Sequence, residues 1–276
     1  MKTNRYFKVL AMSIAVLTFN FSVLSQTKKE DEKVYITITK MHKNLNLKNP
    51  SIDKWKAGEK EYLDKVIKKN EFILSREVCT HYLTDDSSEM LFVQTFKTWE
   101  DIEKAGKRSS ELEKAAWPDE KKRDAFFKDL DQYYDKKHSD EIYVSIPGMK
   151  EDAGLAGKSV FYHMRISHFA FPENGSEKEF MELSDEFNKA VMYKNPHVKA
   201  FYPFVHAWGS DKRQFVEVIA TESLADLEKA FEKMDELYKA NWKDEAKRKA
   251  FEDKSDKYFT GFHADYVYKS VPELKK

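Results

Sequence analysis

From Val34 onward the apolar positions keep two rhythms. Val34–His42 and Val160–Phe169 are rich in Val, Ile, Tyr, Phe and Thr, which suits strands. Ser51–Asn70 and Ser176–Asn195 instead place apolar residues at helical spacing: Trp55, Tyr62 and Val66 in one, Phe180, Leu183, Phe187 and Val191 in the other. Ser176 with Glu179 three residues on forms a capping box that starts the second of these helices. Arg76–Leu83 and Met90–Phe96, joined by polar Thr84–Ser88, predict a hairpin, as do Phe201–Trp208 and Phe215–Thr221 around Gly209–Asp211. Two helices follow each hairpin: Trp99–Ala116 and Pro118–Lys136, then Leu224–Asn241 and Lys243–Tyr258. Pro118 sits where a first helical turn tolerates proline. Last strands, Ile142–Ile146 and Val267–Val271, run into prolines. The order is β-α-β-β-α-α-β, met twice.

The second pass repeats the first in residue identity as well as in rhythm. At an offset of 125, Asp101-Ile102-Glu103-Lys104-Ala105 meets Asp226-Leu227-Glu228-Lys229-Ala230, and Trp117 meets Trp242. From Trp117 to Pro147, 14 of 31 positions are identical to their partners. Trp55/Phe180, Tyr62/Phe187, Asn70/Asn195 and His81/His206 keep the same offset, and only the first strand needs 126. Register held over so long a stretch marks a duplicated unit. The expected organisation is therefore a signal peptide at 1–25, an extension at 26–33, a first unit at 34–147, a linker at 148–158 and a second unit at 159–276. The linker carries Gly148, Gly154 and Gly157, three of the eight glycines, as a flexible connection would.

Each unit reads as a split β-α-β arrangement, an antiparallel sheet with helices on one face. The other sheet face is too apolar for water, so the two sheets are expected to pack on each other within one chain. This tandem of ferredoxin-like units resembles the dimeric α+β barrel superfamily, which includes stress-responsive barrel proteins, antibiotic-biosynthesis monooxygenase-like proteins, NIPSNAP-type proteins and the haem-binding chlorite dismutase group. The resemblance spans about Val34 to Pro272 and rests on element order and duplication, so no residue role is carried over from it. It implies an α+β fold closed into a pseudo-dimeric barrel whose interior can hold a small molecule, haem in some relatives. Fusing two units in one chain also predicts a monomer with an internal pseudo-two-fold, because the partner half is already supplied.

Composition narrows the function classes. Lys+Arg and Asp+Glu both number 48. Removing residues 1–25, with Lys2, Arg5 and Lys8, leaves 45 cations against 48 acids, too little basic field for a nucleic-acid binder. Those first residues read as an export signal: a basic start, an apolar run from Val9 to Leu24, and Val23 and Ser25 before an abrupt polar turn. Cleavage after Ser25 would release a soluble, periplasmic or secreted protein with no membrane segment. The single cysteine, Cys79, excludes an internal disulfide and a Cys-rich metal site. Gly-x-Gly-x-x-Gly, the P-loop and His-Glu-x-x-His are all absent.

Candidate chemistry lies on the strands. Along the first strands one face reads Val34, Ile36, Ile38 and Val160, Tyr162, Met164, Ile166, and the alternate face Tyr35, Thr37, Thr39 and Phe161, His163, Arg165, Ser167. Aromatic rings beside His163 and Arg165 have the composition of a ligand cavity; the same face is equally open to drift toward solvent. Glu217 stands where the first unit has Phe92, and Tyr143 and Tyr268 are paired phenols that could join His163 and Arg165 in an anion-recognising or acid–base cluster. His81 and His206 sit among apolar strand neighbours, as core histidines or ligand-site residues. His138 and His263 are expected at helix C-termini, offsetting the dipole. The ligand-site candidates are thus His163, Arg165, Tyr35, Phe161, Glu217, His81, His206, Tyr143 and Tyr268. No metal, cofactor or catalytic residue is assigned. The first reading is a small-molecule-binding protein with its site between the two sheets. The alternatives are an oxygenase-like or haem-dependent enzyme of this architecture, and a structural or interaction protein with a filled barrel.

Overall fold

Helix starts are written at the same places in both units. Ser51, Thr98 and Asp119 accept hydrogen bonds from the backbone N–H groups of Lys54, Asp101 and Lys122. Ser176, Ser223 and Asp244, each 125 residues on, do the same for Glu179, Asp226 and Lys247. Each such cap is worth about 1 kcal/mol. The computed structural model describes residues 33–155 and 157–276; the expected signal peptide and nearly all of the extension lie outside the described residues. The first unit runs β1 (Tyr35–Lys43), α1 (Ile52–Lys65), β2 (Ser75–Leu83), β3 (Glu89–Phe96), α2 (Trp99–Ala116), α3 (Glu120–Asp131) and β4 (Tyr134–Ser145). After a two-residue strand β5 (Lys150–Glu151) come β6 (Phe161–Phe169), α4 (Glu177–Phe187), β7 (Ala200–Trp208), β8 (Gln214–Thr221), α5 (Leu224–Asn241), α6 (Glu245–Asp256) and β9 (Phe259–Ser270).

The strands follow the order β4-β1-β3-β2-β9-β6-β8-β7, and β7 pairs back onto β4. The two sheets therefore meet edge to edge and close into an eight-stranded antiparallel barrel, which leaves no open edge among these strands. The two seams are equivalent: Cys79 pairs with Ser270 in one and Phe204 with Ser145 in the other. Each seam is tied by a phenol. Tyr143 donates to Gln214 Oε1 at 2.6 Å, and its repeat partner Tyr268 donates to Glu89 Oε2 at 3.0 Å. This is the dimeric α+β barrel, formed by one chain.

Alternation divides the side chains. Ile36, Ile38, Cys79, Leu91, Tyr162, Met164, Phe204, Val216 and Val218 point into the barrel, and the intervening residues meet the helices outside it. Among the described residues no helix is long and apolar enough to cross a membrane.

Two local expectations change. His138 and His263 are not at helix ends: α3 and α6 stop at Asp131 and Asp256, and both histidines lie in strands, His138 opposite Met41 and His263 opposite Ser167. The start of β4 is solvent-exposed from Asp135 to Asp140, so no apolar alternation announces it. The linker is also more tied down than its glycines suggest. Lys150 and Glu151 pair with Phe201 and Ala200, and Leu155 is buried in the barrel core.

Candidate functional site

Strand alternation decides which of the nine candidate residues meet. With Val160, Tyr162 and Met164 inside the barrel, Phe161, His163 and Arg165 point outward. Glu217 does likewise, between inward Val216 and Val218. Tyr35 packs edge-on against Trp99 of α2 with its ring 5.7 Å away, and Phe161 meets Tyr82 at 4.8 Å. His163, Arg165, Tyr35, Phe161 and Glu217 therefore do not face the space between the sheets, which the apolar alternate face lines. Tyr143 and Tyr268 are inside, at the seams, away from the His163 cluster. His206 lies opposite Tyr143 across a seam, half enclosed by it and by Glu141, with Nε2 buried and lacking a hydrogen-bond partner. His81, at the end of β2, shares a hydrogen bond with Thr84 Oγ1 at 2.7 Å.

The outward residues of the second unit do form a cluster. Arg165 stands across from Glu217 on one side and Asp265 on the other. His163 Nε2 lies 2.9 Å from Asp265 Oδ1, and Arg165 Nη1 4.0 Å from the same atom. Burial, opposed by Asp265, lowers the His163 pKa. The neutral ring that donates Nε2–H to Asp265 leaves Nδ1 as a bare lone pair, matching its lack of a partner. Phe231 of α5 closes over the imidazole at 5.1 Å.

Beside this cluster, between sheet and helices, a cavity of about 250 Å³ opens. Phe180, Phe187, Phe201, Phe215, Phe251 and Phe259 line it, and Glu217 sits on its sheet side. Among the described residues Glu217 has no hydrogen-bond partner. Burial pushes its pKa up to about 7, against the pull of Arg165 and with a smaller push from Asp265. The rim on α4 and α6 carries Ser184, Glu252, Ser255 and Asp256. A π-type turn, Asn188–Met192, continues α4 and brings buried Asn188 to the same space; such turns are common at functional sites.

The equivalent space in the first unit is full. Glu59 and Arg76, 4% and 3% exposed, pair at 2.5 Å. Tyr134 donates to Glu59 at 2.6 Å, Trp55 Nε1 donates to Tyr134 at 2.7 Å, and the Arg76 guanidinium covers the Phe92 ring at 5.3 Å. At an offset of 125 these residues become Ser184, Phe201, Phe259, Phe180 and Glu217. Glu to Ser and Trp to Phe shrink the side chains, as does Leu130 to Ser255, and the cation that lay over position 92 is gone. The pocket is what those exchanges leave. Sequence reasoning picked out Glu217 through its mismatch with Phe92 but missed the aromatic wall, because each phenylalanine alone reads as core. The signal was there in the pairs 59/184 and 76/201, where a charge has no counterpart.

No protein-family model matches the chain, and no curated protein matches it in sequence. Solved structures do share its shape. A candidate monooxygenase from Fusobacterium nucleatum subsp. nucleatum is 12% identical with a TM-score of 0.54, over 86% of this chain and 92% of that one. Two mutant chlorite dismutases from Candidatus Nitrospira defluvii are 13% and 14% identical, with TM-scores of 0.51 and 0.50, each over 87% of this chain and 92% of theirs. At such identities what is shared is the fold.

Haem, which some proteins of this fold hold, does not suit the aromatic pocket. An axial ligand there would have to be Tyr238, whose hydroxyl is donated to Glu252 at 3.1 Å. The polar rim is acidic, with Glu252 and Asp256 and no lysine, arginine or histidine among the described lining residues to receive propionates.

Proposed function

We propose that the second unit carries an acid–base site for a small aromatic molecule, and that the protein is an oxygenase-like enzyme whose chemistry at this site needs no haem. The observation that carries this is Glu217: a carboxyl group with a pKa of about 7, lacking a hydrogen-bond partner, on the sheet side of a phenylalanine-walled cavity. A base is most effective when its pKa lies near the working pH. A flat apolar substrate would stack among the rings while Glu217 takes a proton from an activated C–H bond. The carbanion then adds dioxygen, and Glu217 returns the proton to the peroxide oxygen, so that substrate and dioxygen balance one hydroperoxide. The monooxygenase assignment of a protein with the same fold favours this class. 2-Indanone, whose benzylic C–H bonds are acidified by the carbonyl, tests the first step. The chain should accelerate deuterium exchange at those carbons and consume dioxygen, and Glu217→Gln should abolish both. Equal exchange by wild type and variant would overturn the reading.

A second reading is favoured by a separate cavity, of about 300 Å³, inside the barrel: a carrier holding its ligand between the two sheets. Export belongs to the same proposal. N-terminal sequencing of the protein from its host should find Gln26 first; a retained Met1 would contradict it.

A further inference from the structure

The barrel cavity is greasy along its length and polar at one mouth. Ile36, Ile38, Leu91, Val93, Met164 and Val218 line the body. At the mouth Glu77, Glu151, Tyr162, Tyr202 and Lys275 converge. Lys275 Nζ lies 3.1 Å from Glu77 Oε2, and the Tyr162 hydroxyl donates to that same oxygen at 3.3 Å. The Tyr202 hydroxyl lies beside Glu151, whose charge adds to burial in raising the phenol's pKa. Burial raises the Glu77 pKa while Lys275 draws it down. Arg76, the other cation beside the cavity, is committed to Glu59 on the opposite sheet face.

Two carboxylates against one ammonium leave the mouth one negative charge in excess. Lys275 keeps spare N–H donors, yet acceptor capacity on Glu77 and Glu151 outweighs it in charge. A positive polar end on the ligand therefore suits the mouth best. The body has room for more than a ring, since an apolar cavity of roughly 150 Å³ takes up benzene and this one is about 300 Å³. We infer that the barrel is a second site, for a protonated amine with an apolar body of about eight carbons, its ammonium held at the mouth by Glu77 and Glu151. This rests on the carrier reading and is independent of Glu217.

Calorimetric titration of the full chain at pH 7 with n-octylamine, n-octanol and octanoate tests it. The amine should bind at least ten-fold tighter than the alcohol or the acid, and should slow modification of Cys79, a cavity-lining residue, by N-ethylmaleimide. Glu77→Gln should weaken the amine ten-fold and leave the alcohol unchanged. Glu151→Gln, on the exposed rim, should do the same to a smaller degree and guards against misfolding of the first variant. Octanol or octanoate binding as tightly as the amine would overturn the ligand class while leaving a loaded barrel standing. No binding by any of the three would overturn the carrier reading as well.

Discussion

Beneath α1 and α3 the first unit seats Trp55, Glu59, Arg76 and Tyr134 in one hydrogen-bonded chain, whereas beneath α4 and α6 the second unit has Phe180, Ser184, Phe201 and Phe259. Caps, strand register and seam phenols are the same in both. Helix placement is thus set by features the units share, and the layer between helix and sheet is free to differ. One copy spends that freedom on an ion pair that is costly to desolvate and that leaves Arg76 Nη1 buried without a partner. The other leaves a hole with an acid in it, a poor way to gain stability. Duplication makes this affordable, because the filled copy and two zipped seams hold the barrel closed around the emptier one.

Unpairing the first unit's charges should have the largest effect. Arg76→Met leaves Glu59 buried with Tyr134 alone, at a cost of about 3–5 kcal/mol in urea unfolding. Combining Arg76→Phe with Glu59→Ser, which copies the second unit, should recover at least half of that loss. If the single variant cost under about 1 kcal/mol, the ion pair would not be what fills this layer.

Glu217 gives the next effect, and its sign is set by the direction of its shift. The folded group titrates at about 7 and the unfolded one near the usual 4.5, so folding favours the protonated form. Its stabilising contribution is complete below pH 4.5, falls as pH rises toward 7 and is then gone, a loss of about 3 kcal/mol. Glu217→Gln should flatten this slope and be more stable than wild type at pH 8 by up to that amount. Thermal or urea unfolding between pH 4 and 8 checks it; parallel curves for the two proteins would contradict it.

The seams give the smallest and most symmetrical test. Tyr268→Phe removes a hydrogen bond to a carboxylate and should cost about 2 kcal/mol, while Tyr143→Phe removes one to an amide and should cost about 1. Urea unfolding of both variants measures the difference, and a reversed order would mean that the acceptor's charge does not set the bond's value.

Much of the fold could be read from the chain, because duplication lets each weak pattern be seen twice: Trp117 with Trp242, Asn70 with Asn195, Ser176 capping where Ser51 caps. The faces of the strands could not. In a barrel wrapped by helices both faces of a strand are buried, so Tyr162 and His163 differ in partner and not in exposure, and alternation alone cannot say which looks inward. Arg165 and Glu217 were legible as residues out of keeping with Thr39 and Phe92. That they stand side by side depends on the register of β6 against β8, which no local pattern encodes. Glu59 and Arg76 come from a helix and a strand whose apposition is purely tertiary.

The most direct test is a pH titration of carboxyl carbons in the ¹³C-glutamate-labelled chain, with Glu217→Gln to assign the signal. One glutamate should titrate near pH 7, vanish in the variant, and shift when 2-indanone is added. If every glutamate titrated near 4.5, and none responded to the probe, the second unit would hold no base, and the difference between the two units would be one of packing alone.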